Sequence, residues 1–110
     1  MTEPMDEKQF DLLADRTLSA LVEALGEMED EGFEADLESG VLTIAFDSGG
    51  KFVVNSHRAA RQIWMAAGAS AWHFDPVDGR WVGTKGGEDL LDLLEAKLSE
   101  RLGQPLRLPR

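Results

Sequence analysis

The sequence predicts an α+β fold, a two-layer α/β sandwich. An N-terminal and a C-terminal helix pack on one face of an antiparallel sheet of five to six strands. Three observations predict it. Residues 6–28 repeat apolar side chains at helical spacing, residues 33–84 break into short segments separated by turn residues, and residues 88–102 return to a leucine-rich helical period. A chain of 110 residues suits one domain with one core. That domain is taken as 1–110, with a core of about 6–103 and a short C-terminal tail, 104–110.

The first helix presents Phe10, Leu13, Ala14, Thr17, Leu18, Leu21, Val22 and Leu25 as one stripe. Asp11 and Asp15 lie four apart on the other face, flanked by Asp6, Glu7, Glu23 and Glu27, and Gly26 and Gly32 bracket the helix end. "FEADLE" alternates with a period of two, so Phe33, Ala35 and Leu37 share one side of a strand. Glu34, Asp36 and Glu38 form a row on the other side, spaced by about 7 Å from two strand rises. Ser39-Gly40 turns the chain into "VLTIAF" and "KFVVN", which Asp47-Ser48-Gly49-Gly50 joins as a hairpin. Leu42, Ile44, Phe46, Phe52 and Val54 are their core residues.

"RQIWMAA" and "SAWHFD" are the next strands, with Gly68 between them, and Pro76-Val77-Asp78-Gly79 is a turn before the short strand "RWVGT". Gly86-Gly87 opens the last helix. Glu88 and Asp89 are expected in its first turn, where acids suit the dipole, and Gly103 ends it. Two leucines of "QPLRLPR" are available to fold back onto the domain. Two amphipathic helices on one face leave the other face of the sheet to solvent or a partner.

Charge is unevenly placed. Residues 1–50 hold 14 acids and 2 bases, and residues 51–110 hold 7 acids and 9 bases. The first half would repel phosphates, which excludes nucleic acid as its partner and favours a cation or a basic protein surface. The absence of Cys excludes disulfides, thiolate chemistry and Cys-based metal ligation by this chain. No apolar run approaches the ~20 residues of a membrane span, and the acidic start "MTEPMDEKQ" lacks the basic region of a signal peptide. The expectation is a cytoplasmic protein with no membrane partner.

Enzyme motifs are scarce. There is no GxGxxG, Walker sequence, HExxH or GxSxG, and His57 and His73 have no metal-pair spacing. "EMEDEGFEADLE" holds seven acids in twelve residues and no base, a concentration of carboxylates with no internal partner in view. Oxygen-only ligands of this kind suit iron, manganese, magnesium or calcium, held weakly and with open positions. A solvated acidic surface is the plainer alternative. In "NSHRAARQIWMAA", core packing takes Ile63 and Met65, which puts Trp64 on the open sheet face beside Asn55, Arg61 and Gln62 as an anchor for a partner. By the same parity His73 and Asp75 oppose Trp72 and Phe74, so His73 joins this face, while Trp81 is read as core.

With these residues in place, the chain resembles the frataxin family, its bacterial members in particular. The likeness runs from Phe10 to Gly103: "FDLLAD", the acidic stretch into "GVLTIAFDSGGKFVVN", "RQIWMAA", "WHFD", "RWV" and "DLLDLLEAKL" follow in order. The ordered set is specific where a lone "QIW" would be weak. The resemblance implies an α–β sandwich that binds ferrous and ferric iron on an acidic ridge. That ridge maps to Asp11, Asp15, Glu23, Glu27, Glu29, Asp30, Glu31, Glu34, Asp36 and Glu38. It implies action in iron–sulfur cluster assembly, with the cysteine desulfurase and the cluster scaffold protein as partners, and Asn55 and Trp64 facing the scaffold. It implies a regulator and iron donor rather than an enzyme, with ferroxidase activity or an acidic adaptor role as the alternatives. A monomer is expected, with iron-dependent oligomers allowed. Two departures stand out: the ridge carries no His, and His57 stands where eukaryotic members have Gln.

Overall fold

Asp6 starts the first helix. Its side chain accepts the Gln9 N–H at 2.8 Å while the Gln9 side chain accepts the Asp6 N–H, a reciprocal cap that satisfies two otherwise orphaned donors. Helix α1 then runs Glu7–Gly26 and buries Phe10, Ala14, Leu18, Leu21, Ala24 and Leu25. The computed structural model describes residues 6–109. Residues 1–5, most of the acidic start, and Arg110 belong to the expected 1–110 domain but lie outside the described residues.

A single 3₁₀ turn, Glu29–Glu31, leads through Gly32 into a six-stranded sheet. The strands are β1 Phe33–Glu38, β2 Val41–Phe46, β3 Lys51–His57, β4 Gln62–Ala67, β5 Ser70–Val77 and β6 Arg80–Gly83. They pair antiparallel in sequence order, with β1 and β6 at the edges. Helix α2, Leu90–Leu102, closes the helical layer. The fold is thus the α+β sandwich that the two helical stripes and the strand parity require.

Alternation fixes which face is core. Phe33 on β1, Leu42, Ile44 and Phe46 on β2, Phe52 and Val54 on β3, Ile63 and Met65 on β4, Phe74 on β5 and Trp81 on β6 are all buried against the helices. Trp81 meets Phe10 edge-on at 5.8 Å and donates its N–H to Thr17 Oγ1 at 2.8 Å. Thr17 therefore belongs to the apolar stripe for the partner it supplies to a buried indole. The tail also joins the core: Leu106 and Leu108 are buried, and Leu106 N–H donates to Ser99 Oγ at 2.9 Å.

Two local expectations are corrected. Glu88 and Asp89 precede α2 and do not form its first turn. Asp89 is the N-cap, accepting from the N–H groups of Leu91 and Asp92, and residue 82 bridges to it as a short extension of the sheet. Pro76 and Val77 are not turn residues but stay paired with Trp81 and Arg80. The turn is Asp78-Gly79 alone, with φ of 51° and 79°, the left-handed pair that matches the twist of a two-residue hairpin.

Candidate functional site

The acidic residues fall on three consecutive pieces of backbone. Asp11, Asp15 and Glu23 project from α1, and Glu27 caps its C-terminal end. Glu29, Asp30 and Glu31 form the 3₁₀ turn, and Glu34, Asp36 and Glu38 line the exposed side of edge strand β1. The cross-strand neighbours of the last three are Ala45, Thr43 and Val41, none of which carries charge. A charged edge of this kind also resists pairing with another chain.

The expectation that the carboxylates of residues 27–38 have no internal partner is corrected at Glu29 and Glu31, and Asp11 on α1 is paired as well. Arg58 grips Asp11 with both ends of its fork, Nε to Oδ1 at 3.1 Å and Nη2 to Oδ2 at 2.6 Å. Asp11's hydrogen bond and charge, with Glu7 and Asp15 nearby, raise the Arg58 guanidinium above its ordinary pKa. Glu29 accepts the Ala35 N–H at 2.9 Å, which fixes the entry to β1, and Glu31 accepts from the Gln104 side chain. These are residues placed by turns and long-range folding, which a run of acids in sequence does not reveal. Asp15, Glu23, Glu27, Asp30, Glu34, Asp36 and Glu38 make no hydrogen bond through their side chains and no ion pair within the described residues. Among those residues no group of three or more His, Asp or Glu converges as a closed metal cage. The ridge is a dispersed oxygen surface, suited to a hydrated, loosely held cation.

The open sheet face carries the second feature. Trp64 lies between two imidazoles, with His57 stacked at 3.9 Å and 16° and His73 at 4.2 Å and 10°. Register explains the contact: Trp64 pairs with Asn55 on β3 and with His73 on β5, and His57 pairs with Gln62. Trp64 Nε1 donates to Gln62 Oε1 at 2.8 Å, and Gln62 Nε2 donates to Asp75 Oδ1 at 3.0 Å. The indole is therefore held in place before any partner arrives, which lowers the entropic cost of using it as an anchor. Asn55 lies beside it, half-buried, with its amide donating to the Ser56 carbonyl at 3.3 Å. Arg61 stands at the left-handed corner of the β3–β4 turn, φ 52°, with its Nε buried and without a hydrogen-bond partner.

His57 and Asp75 were not among the residues expected on this face as partner contacts. Asp75 lies on this face by the same strand parity as His73, and for His57 the signal was the hairpin register. A four-residue turn over Arg58–Arg61 pairs His57 with Gln62 and brings its ring diagonally onto Trp64.

Comparison with known proteins is consistent with this architecture. The sequence model of the Frataxin-like domain matches residues 3–104. A protein of Ralstonia nicotianae named iron-sulfur cluster assembly protein CyaY is 38% identical over 102 residues, covering 89% of each chain. The frataxin of Psychromonas ingrahamii superposes with a TM-score of 0.87 at 23% identity, over 96% of this chain and 100% of that one, a likeness of fold. A trimeric frataxin of Saccharomyces cerevisiae, complexed with ferrous iron, superposes at 0.74 and 25% identity, over 94% of this chain and 92% of that one.

Proposed function

The chain belongs to the frataxin-like family, and on that premise we propose that it is an iron-binding protein of iron–sulfur cluster assembly. In this reading it regulates a complex of cysteine desulfurase and scaffold protein and can deliver iron to it. The observation that carries the reading is the division of the surface into two unlike faces. One is a ridge of carboxylates, seven of which make no side-chain hydrogen bond or ion pair within the described residues. The other is a flat sheet face centred on the His57–Trp64–His73 stack.

The ridge supplies attraction. Its negative charge draws ferrous iron and a basic desulfurase surface from a distance and raises the rate of encounter. Its ligands are oxygen alone, so iron is bound without a soft donor that would retain it. The sheet face supplies the anchor: a preorganised Trp is the side chain best suited to hold a partner over a small area. The name of the Ralstonia relative supports a place in iron–sulfur cluster assembly, and the ferrous complex of the yeast frataxin supports iron binding.

Anaerobic titration with ferrous iron, with and without the desulfurase, tests it. Micromolar to millimolar uptake is expected, lost when Asp30, Glu34, Asp36 and Glu38 become amides, together with desulfurase binding that falls as salt rises. No iron uptake and salt-independent binding would contradict the reading. The ferroxidase alternative makes a separate claim, oxygen consumption at catalytic protein concentrations with excess ferrous iron.

A further inference from the structure

On the helical side of the sheet, opposite Trp64, a groove of about 510 Å³ runs between α1, α2 and the β5–β6 hairpin. That volume lies within the range of small-molecule sites. Leu13, Leu21 and Ala24 of α1, Leu90 and Leu91 of α2 and Trp81 of β6 supply its apolar walls. The polar groups among these walls are already spent. The Thr17 hydroxyl accepts the Trp81 N–H at 2.8 Å and donates to the Leu13 carbonyl at 2.9 Å. Asp89 takes the Arg80 Nε on Oδ1 at 3.4 Å and the Leu91 and Asp92 N–H groups on Oδ2. The groove therefore fits an apolar body.

One charge at the groove is not spent. Arg16 lines it from α1, is exposed, and makes no side-chain hydrogen bond or ion pair within the described residues. Its helical neighbours three and four positions away are Leu12, Leu13, Ser19 and Ala20, so the helix gives it no acid to pair with. Glu23, the next acid on that side, is seven residues on, about 10 Å along the axis. A chain with 21 acids and 11 bases thus leaves this base alone beside an apolar groove.

We infer that this groove binds an aliphatic monocarboxylate, its hydrocarbon chain laid over Trp81 and its head group paired with Arg16. Charge complementarity fixes the head. Arg80 and Asp89 neutralise each other, which leaves one positive charge for one negative charge. A phosphate or a dicarboxylate brings a second negative charge that nothing in the groove answers, on a chain of net charge −10. A sugar or a nucleobase would lay polar groups without partners on the apolar walls. This site uses neither the ridge acids nor the Trp64 face, so it stands or falls apart from the cluster-assembly reading.

The test is an NMR titration with hexanoate, octanoate, decanoate and the uncharged octanol, in wild type, Arg16→Gln and Ala20→Phe. Ala20 is exposed and lines the groove, so Phe there covers it without entering the core. In wild type the Trp81 indole N–H resonance should move and saturate while that of Trp64 stays in place. Each two added CH₂ groups should tighten binding about tenfold, the gain from burying them. Arg16→Gln should weaken octanoate about two- to fivefold relative to octanol, the range of an exposed ion pair. Ala20→Phe should weaken every ligand. A Trp81 resonance that no carboxylate moves, Trp81 and Trp64 moving together, or an octanoate-to-octanol ratio unchanged by Arg16→Gln would each overturn the inference. A Trp81 resonance that shifts with protein concentration alone would assign the groove to a second copy of the chain and overturn it as well.

Discussion

The Trp81 indole donates its N–H to the Thr17 hydroxyl at 2.8 Å, and that hydroxyl donates onward to the Leu13 carbonyl at 2.9 Å. This chain joins edge strand β6 to the middle of α1 at a point where both are otherwise apolar. Trp64, on the opposite face of the same sheet, sends its N–H to Gln62 and contacts no core residue through its ring faces, which are taken by His57 and His73. One indole belongs to stability, and the other is available for recognition.

Trp81→Ala should therefore lower unfolding free energy by about 3–5 kcal/mol, the usual loss for a buried Trp, and Trp64→Ala by clearly less. Thr17→Val should cost about 1–3 kcal/mol by leaving the indole N–H unsatisfied. Urea unfolding measures all three. In the proposed complex Trp64→Ala should weaken partner binding by about 2 kcal/mol, the threshold of a hot spot. Severe destabilisation by Trp64→Ala would place that residue in the stability core and remove it as an anchor.

Most of the fold was legible because its signals are periodic. The apolar stripe of α1, the strict alternation of β1 and the Ser39-Gly40 turn each point to one structure. The misreadings lie where a single residue has two local uses. Asp89 reads equally as a first-turn acid and as an N-cap, and its hydrogen bonds to Leu91 and Asp92 decide it. Pro76 reads as a turn residue, yet it is also tolerated where a strand needs no donor. At the candidate site, parity placed Trp64 outward, but the Arg58–Asp11 pair spans 47 positions and joins two elements whose packing no local pattern encodes.

The tail gives a second prediction. Leu106 and Leu108 are buried although they lie beyond the last helix. Leu106→Ala or Leu108→Ala should each cost about 2–5 kcal/mol, as for other core leucines. Thermal melts should fall by about 4–8 °C per kcal/mol in a domain of this size. Unchanged melts would mean the tail rests on the surface without contributing to the core.

A third prediction concerns docking of the desulfurase. Asp30, Glu34 and Asp36 make no side-chain hydrogen bond or ion pair within the described residues, so reversing them to Lys disturbs charge without breaking such a contact. The triple variant should lose most desulfurase binding, and wild-type binding should weaken with salt as the Debye length shrinks from about 10 Å at 0.1 M toward 3 Å at 1 M. Binding indifferent to both changes would exclude the ridge as the docking surface.

A fourth prediction follows from repulsion. Three acids share one side of β1, and Glu27 sits at the C-terminal end of α1, where the dipole disfavours it. Amides at Asp30, Glu34, Asp36 and Glu38 should raise the metal-free melting temperature. In wild type, ferrous iron at a hundredfold excess over its dissociation constant should add about 2.7 kcal/mol, more than sodium chloride of equal ionic strength adds. Glu29 and Glu31 are left intact in this variant because they hold Ala35 and Gln104. A lower metal-free melt with a full response to iron would show that these carboxylates are neither strained nor the site.

The most direct test of the central claim is the rate of cluster formation on the scaffold protein in a reconstituted mixture with the desulfurase, followed while iron is varied. Wild type should change that rate in an iron-dependent manner, and both Trp64→Ala and the Asp30/Glu34/Asp36 reversal should abolish the change while remaining folded. A rate that is the same with and without the wild-type protein at every iron concentration would contradict the account.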